Sequence, residues 1–178
     1  MKGKRVLLGG LLGLLVVGAG FAQAAFAPRG FRGIDLGMGL EQVKEKLAAD
    51  ALFGYRGEPD VSLLPTPQQS LIECTGSSYI RRAFFQFHEG RLFVLILVLE
   101  PTRLDYYTVF STLSRKYGDP ARLDPSEAIW EFAGVRLALE RPLNVKYLDT
   151  AVFASLREQG QAQEALSGVS RQSFLEQF

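Results

Sequence analysis

The sequence predicts an α+β domain, a tandem helix-plus-hairpin repeat that forms one antiparallel sheet with the helices packed on one face. Two segments carry an apolar stripe at helical spacing, and two pairs of short apolar runs meet at a turn of the form X-Gly. The order of helix, irregular link and hairpin occurs twice. Since neither unit can bury a one-sided sheet alone, one shared sheet covered by both helices is the economical arrangement.

The first 24 residues have the pattern of a secretory signal peptide. Three cations stand within the first five residues, and an uncharged apolar run follows over residues 7–21. Residues 22–24 (Ala-Gln-Ala) offer the small-x-small step that signal peptidase accepts, and residues 25–27 (Ala-Phe-Ala) offer a second. The run is shorter than the roughly 20 residues of a membrane span. We therefore expect a periplasmic or secreted protein with no stable membrane anchor after cleavage.

The mature chain is expected to form a single α+β domain over residues 25–157. Its pseudo-repeats are placed at 33–100 and 101–149, and residues 158–178 are expected to be a weakly ordered tail because they are polar with few apolar anchors. The first helix follows Gly39, where Leu40, Val43 and Leu47 make one apolar stripe, and it is expected to end near residue 50.

Residues 53–70 predict an irregular link, because Pro59, Pro65 and Pro67 fix φ and remove backbone donors. Leu63 and Leu64 lie between these prolines. The simpler interpretation packs both leucines on the core, and the alternative displays them for a partner. They are candidate binding residues under the second interpretation.

The first hairpin is predicted from residues 80–88 and 91–100, joined by a two-residue turn that ends in Gly90. The second of these runs is apolar at almost every position, which predicts a central strand covered on both faces. On the first run, Arg82 and Phe84 share the face opposite the apolar one. An aromatic side chain among polar neighbours suits a protein-binding surface, so these two residues are candidate binding residues as well.

The second repeat opens with Thr102-x-x-Asp105, a capping-box pattern that predicts the start of a helix. An apolar stripe continues to Tyr117, and Gly118 is suited to end the helix. Residues 128–132 and 135–141 predict a hairpin, residues 145–148 a further strand, and the chain beyond residue 150 a helix.

Two stretches of the sequence resemble one known superfamily in their pattern of residues. Residues 33–47 (Gly-x-x-x-Gly-Met, then Val-x-x-x-Leu) resemble the opening of the β-lactamase-inhibitor-protein-like superfamily. Residues 116–120 (Lys-Tyr-Gly-Asp-Pro), with Trp130 and Leu137-x-Leu139 downstream, are similar to the helix exit and strands of its repeats. That superfamily includes the small outer-membrane-assembly lipoprotein and secreted enzyme inhibitors. The resemblance implies a shared scaffold, and its members bind unrelated partners.

Composition bounds the function. The formal net charge is +1 and falls when the cationic leader is removed, which gives no electrostatic basis for nucleic-acid binding. Cys74 and His88 are the only residues of their types. Cys74 is expected to be a buried apolar residue and His88 an exposed turn residue, and we expect no metal and no cofactor.

The leading hypothesis is an exported, non-enzymatic protein that binds or helps to assemble another envelope or secreted protein. One alternative is a small periplasmic hydrolase that uses carboxylates or His88, and a third is a carrier of apolar ligands. The carboxylates available to a hydrolase are Glu73, Glu89, Glu100, Glu131 and Glu140. No catalytic residue is assigned.

Overall fold

The computed structural model describes residues 27–64 and 68–160. The expected signal peptide, the prolines at 65 and 67, and residues 161–178 of the expected tail lie outside the described residues. Within the described ranges, no helix combines the length and hydropathy that crossing a membrane requires.

The described chain contains a small hairpin, a nine-stranded antiparallel sheet, three α-helices and one short 3-10 helix, Glu58–Asp60. The hairpin pairs β1 (Gly30–Phe31) with β2 (Ile34–Asp35). The strands of the sheet are β3 (Phe53–Gly54), β4 (Val61–Leu63), β5 (Gln69–Gly76), β6 (Ile80–His88), β7 (Arg91–Leu99), β8 (Arg122–Leu123), β9 (Glu127–Phe132), β10 (Val135–Glu140) and β11 (Asn144–Asp149). The helices are α1 (Leu40–Ala49), α2 (Tyr106–Tyr117) and α3, residues 150–160.

The sheet order shows the tandem repeat. Its strands run β3-β5-β6-β7-β11-β10-β9-β8, with β4 also paired to β5. Each repeat supplies a helix and a three-stranded meander, β5-β6-β7 after α1 and β9-β10-β11 after α2. The last strands of the two meanders, β7 and β11, pair antiparallel at the centre. The repeats are therefore related by an approximate two-fold axis through the sheet, and the predicted α+β fold class is confirmed.

The two repeat helices cover one face of the sheet, which we call the helix face. Val43 and Leu47 of α1 are buried in the main core with alternate residues of every long strand. The stripe of α2 packs on the same core, but no residue of α2 is fully buried. Phe110 is half-buried and packs on Trp130, with ring centroids 6.0 Å apart.

The third helix covers part of the opposite face. Val152 and Leu156 of α3 pack on a second, smaller cluster formed by Phe93, Val94 and Leu148. The described helix continues through residue 160, beyond the predicted start of the tail at 158. The dense apolar sequence of β7 is explained by this arrangement, because the strand is central and contributes to both clusters.

One predicted boundary is wrong. The α2 helix begins at Tyr106 with Asp105 as its N-cap, and not at Thr102. The Asp105 carboxylate accepts a hydrogen bond of 2.9 Å from the backbone amide of Thr108, which satisfies a free donor of the first turn. Thr102 instead donates its hydroxyl to Glu100 in the preceding turn. Asp105-x-x-Thr108 is the capping pattern that the chain uses.

Candidate binding site on the open sheet face

The part of the second sheet face that α3 leaves uncovered is called here the open face. Strand register places Phe84 of β6 beside Ile96 of β7, and Arg82 beside Val98. Phe84, Ile96 and Val98 are each half-buried, so part of their apolar surface meets solvent. Lys146 of β11 continues the row beyond Ile96. The result is an apolar centre that spans two neighbouring strands.

Cross-strand ion pairs flank this apolar centre. Arg82 Nη1 lies 3.0 Å from Glu73 Oε1 on the β5–β6 side, whereas the Arg136–Glu131 pair, with 2.7 Å between Nε and Oε1, lies beside α3. Lys146 pairs with a carboxylate of β10, that of Glu140. The pairs join neighbouring strands and hold long side chains over the sheet. An apolar centre inside a charged rim is the usual anatomy of a protein interface.

A concavity of about 640 Å³ lies on the open face. Its lining residues are Thr75, Arg81, Arg82, Phe84 and Val98. The register shift between Ile80 and Arg82 leaves Arg81 as an extra residue, so two consecutive arginines border the same hollow. The Arg82 guanidinium carbon lies 6.0 Å from the centre of the Phe84 ring. Arg82 is paired with Glu73, whereas Arg81 makes no ion pair with a described residue.

The edge of the sheet beside this hollow is held by a buried carboxylate. Asp60 is 5% exposed and accepts hydrogen bonds of 2.8 Å from both the backbone amide and Nε of Arg56. Burial acts to raise the pKa of Asp60, but these hydrogen bonds and the positive charge outweigh it and hold the pKa below its usual value. The Arg56–Asp60 pair therefore fixes the link segment that precedes β4.

The structure brings two of the four predicted binding residues together and separates the other two. Arg82 and Phe84 lie side by side on the open face. Leu63 pairs with Ser70, which pairs with Phe87 of the main core, so Leu63 is on the helix-face side of its edge strand. Leu63 is 86% exposed and Leu64 is half-buried. The interpretation that both leucines are pinned to the core is therefore wrong for Leu63.

Three residues of the open face were missed by sequence reasoning. Ile96 and Val98 belong to a strand that is apolar on both faces, and only its register with β6 shows that they border Phe84 and Arg82. Arg81 is placed by the register shift. The dipeptide of two arginines was visible in the sequence, but strand alternation predicts that its members point to opposite faces.

The cysteine and the histidine do not form a reactive site. Cys74 is 3% exposed, as predicted, and burial raises the pKa of its thiol to about 12, which keeps the thiolate scarce at neutral pH. The prediction that His88 is exposed is wrong, since its half-buried ring meets the ring of Phe93 edge-on, with centroids 6.4 Å apart. His88 Nδ1 is buried and has no hydrogen-bond partner among the described residues.

Most of the candidate carboxylates are engaged in structural contacts. Glu73, Glu131 and Glu140 are in cross-strand ion pairs. Glu100 accepts hydrogen bonds from the amide and hydroxyl of Thr102. Within residues 27–64 and 68–160, no three histidine, cysteine, aspartate or glutamate side chains are grouped so that they could hold a metal ion. This arrangement gives the hydrolase alternative no support.

Comparison with known proteins gives one match. The sequence model of the TP0088 domain matches residues 29–159, which include both helix-plus-meander repeats and most of α3. No curated protein and no solved structure matches the chain.

Proposed function

The chain belongs to the TP0088 domain family, and we propose that it is an exported, non-enzymatic binding module that holds another envelope or secreted protein on its open face. The observation that carries this proposal is the hollow over Phe84 and Val98, bordered by Arg81 and Arg82. Apolar centre and charged rim together distinguish this surface from an ordinary solvated sheet face.

The charges of the hollow indicate the kind of partner surface that fits. Arg82 is paired with Glu73, whereas Arg81 makes no ion pair with a described residue and interacts with the Glu100 carboxylate only through its charge. A partner that offers an apolar side chain to Phe84 and a carboxylate to Arg81 would satisfy both features. Arg82 and Phe84 are candidate contact residues, and Leu63, exposed at the far edge, belongs to a separate surface.

The proposal is tested by photo-cross-linking in the native cells. A photoreactive phenylalanine analogue is placed at position 84 of the full chain, and in a matched experiment at Tyr107, which is 75% exposed on α2. We expect an adduct of one defined mass from position 84 and none from position 107. Adducts of the same masses from both positions, or none from position 84, would contradict the proposal.

Export is tested separately by sequencing the N-terminus of the protein recovered from the envelope fraction. We expect the mature chain to begin at Ala25, or at Pro28 if the second site is cleaved. An intact Met1 in the cytosolic fraction would show that the leader is not processed and would remove the envelope from the proposal.

A further inference from the structure

The apolar centre of the open face continues directly to the surface that α3 covers. Ile96 borders Phe84 in the register of β6 and β7, and it also packs on the second, smaller cluster. Leu156 of α3 packs on that same cluster. The helix therefore lies beside the apolar centre on the same face of the sheet.

The last described residue lies close to the open face. Residue 160 follows Leu156 by about one turn of α3, which is about 6 Å along the helix axis. The next 13 residues, 161–173, can extend up to about 45 Å. Neighbouring strands lie only about 5 Å apart, so this reach spans the open face. The sequence that follows residue 173 can therefore contact any part of that face.

Residues 174–178 (Phe-Leu-Glu-Gln-Phe), which lie outside the described residues, have the composition that the hollow of the open face accepts. We call them the aromatic segment. Three of the five are large and apolar, whereas the 13 residues before them include only two of this kind. Phe174 and Phe178 are four positions apart, a spacing that puts two side chains on one side of either a helix or a strand. Glu176 adds a carboxylate between them.

The hollow offers the groups that match this segment. Phe84 and Val98 line it and are half-buried, so they present apolar surface. Arg81 also lines it and is exposed. The Glu100 carboxylate acts on Arg81 only through its charge, because its hydrogen bonds are to Thr102. The guanidinium donors of Arg81 are therefore available to a second carboxylate.

We propose that the aromatic segment binds the open face of its own chain. Its two phenylalanines pack on Phe84 and Val98. Glu176 meets the guanidinium of Arg81. Removal of apolar surface from water supplies the driving force, and the carboxylate orients the segment. Because the segment is joined to α3, its effective concentration is in the millimolar range, so a weak contact is enough to occupy the face.

This inference rests on the proposed function, because it identifies what regulates the same face. A partner protein has to displace the aromatic segment before it reaches Phe84. The segment therefore raises the partner concentration that binding requires. Proteins that match the hollow poorly are kept off, since they do not outcompete a tethered segment.

The test is photo-cross-linking within the purified full chain, with the photoreactive phenylalanine at position 84 and, as the matched control, at Tyr107. Trypsin cleaves after arginine, so position 84 and the aromatic segment are recovered in separate peptides, residues 83–91 and 172–178. We expect mass spectrometry to find these two peptides joined, and no peptide joined to residues 172–178 from position 107. In a mixture of heavy-isotope-labelled and unlabelled chains, each joined pair should have a single label.

Three results would overturn the proposal. These are no joined pair from position 84, a pair with residues 172–178 from both positions, and pairs that mix labelled with unlabelled peptides. The last would show that the segment comes from a second copy. The proposed function is judged separately in cells: an adduct with another protein there, without a joined pair in the purified chain, would retain the proposed function and remove only its regulation.

Two aspartate substitutions measure the competition. Phe174→Asp should lower the yield of the joined pair by about tenfold, roughly the loss at an interface hot spot. It should also increase the adduct that position 84 forms with the other protein in cells. Leu166→Asp puts the same charge outside the aromatic segment and should change neither yield. Equal yields of the joined pair from the two variants would contradict the proposal.

Discussion

Asp60 shows how one side chain holds the edge of the sheet beside the open face. It is buried, while its partner Arg56 remains exposed at the surface. Burying the Asp60 carboxylate is costly unless its oxygens accept hydrogen bonds. Arg56 supplies three donors to it, the backbone amide and two guanidinium nitrogens. Sequence alone offered no reason to single out this aspartate, because the pairing depends on the turn between β3 and β4.

Asp60→Asn should lower the free energy of unfolding by about 1–3 kcal/mol at pH 7, because a buried charge-assisted interaction is weakened. The pKa of Asp60 is depressed in the folded state. Its contribution is therefore complete above the unfolded pKa of about 4 and is lost as the pH falls through the lower folded pKa. Urea unfolding at pH 7 and at low pH measures this contribution. The difference in the free energy of unfolding between the unaltered chain and Asp60→Asn should shrink in acid.

The control for this prediction is Asp119→Asn, at an exposed carboxylate outside any described ion pair. It should leave stability within about 0.5 kcal/mol at both pH values. A loss for Asp60→Asn that did not depend on pH would show that the side chain's shape, and not its charge, holds the turn.

At the scale of elements, local patterns predicted much of what the structure shows. The hairpin of β6 and β7 was predicted because its turn is local, and Glu89 and Gly90 have the positive φ angles, 50° and 71°, that a two-residue turn favours. The pairing of β7 with β11 could not be predicted, since it joins segments that are distant in the sequence. The open face lies mainly on the local hairpin of β6 and β7, but the position of Arg81 depends on the register shift between Ile80 and Arg82, which strand alternation does not predict.

The start of α2 is the element boundary that the structure corrects, and it gives a paired test. Asp105→Ala should destabilise the protein by about 0.5–2 kcal/mol, the usual loss for an N-cap residue. Thr102→Ala should cost less than about 0.5 kcal/mol, because the threonine lies in the exposed turn before the helix. Thermal unfolding of the two variants measures the order, and a larger loss for Thr102→Ala would place the cap where the sequence pattern first suggested.

The β4 edge strand gives a second test at this scale. Leu63→Ser should leave the melting temperature nearly unchanged because the side chain is 86% exposed. Leu64→Ser should lower it by about 2–4 °C, as the loss of about 1 kcal/mol from a half-buried leucine does in a chain of this size. Differential scanning calorimetry compares the two. A several-degree loss for Leu63→Ser would instead mean that this leucine is pinned.

At the scale of the whole molecule, two helices close one face of the sheet and the third closes part of the other. The predicted α+β fold class is confirmed, because two amphipathic helices and two meanders share one antiparallel sheet. The sequence carried no signal for which part of the second face would stay open, since this depends on where α3 docks. The resemblance to the β-lactamase-inhibitor-protein-like superfamily stays a prediction, because the comparisons name only the TP0088 domain.

The most direct test of the open face is the dissociation constant of the cross-linked partner, measured for two variants of matched chemistry. Phe84→Asp puts a charge into the apolar centre and should weaken binding by tenfold or more, roughly the loss at an interface hot spot. Tyr107→Asp puts the same charge on the exposed side of α2 and should leave the constant unchanged. Equal affinities of the two folded variants would contradict the account.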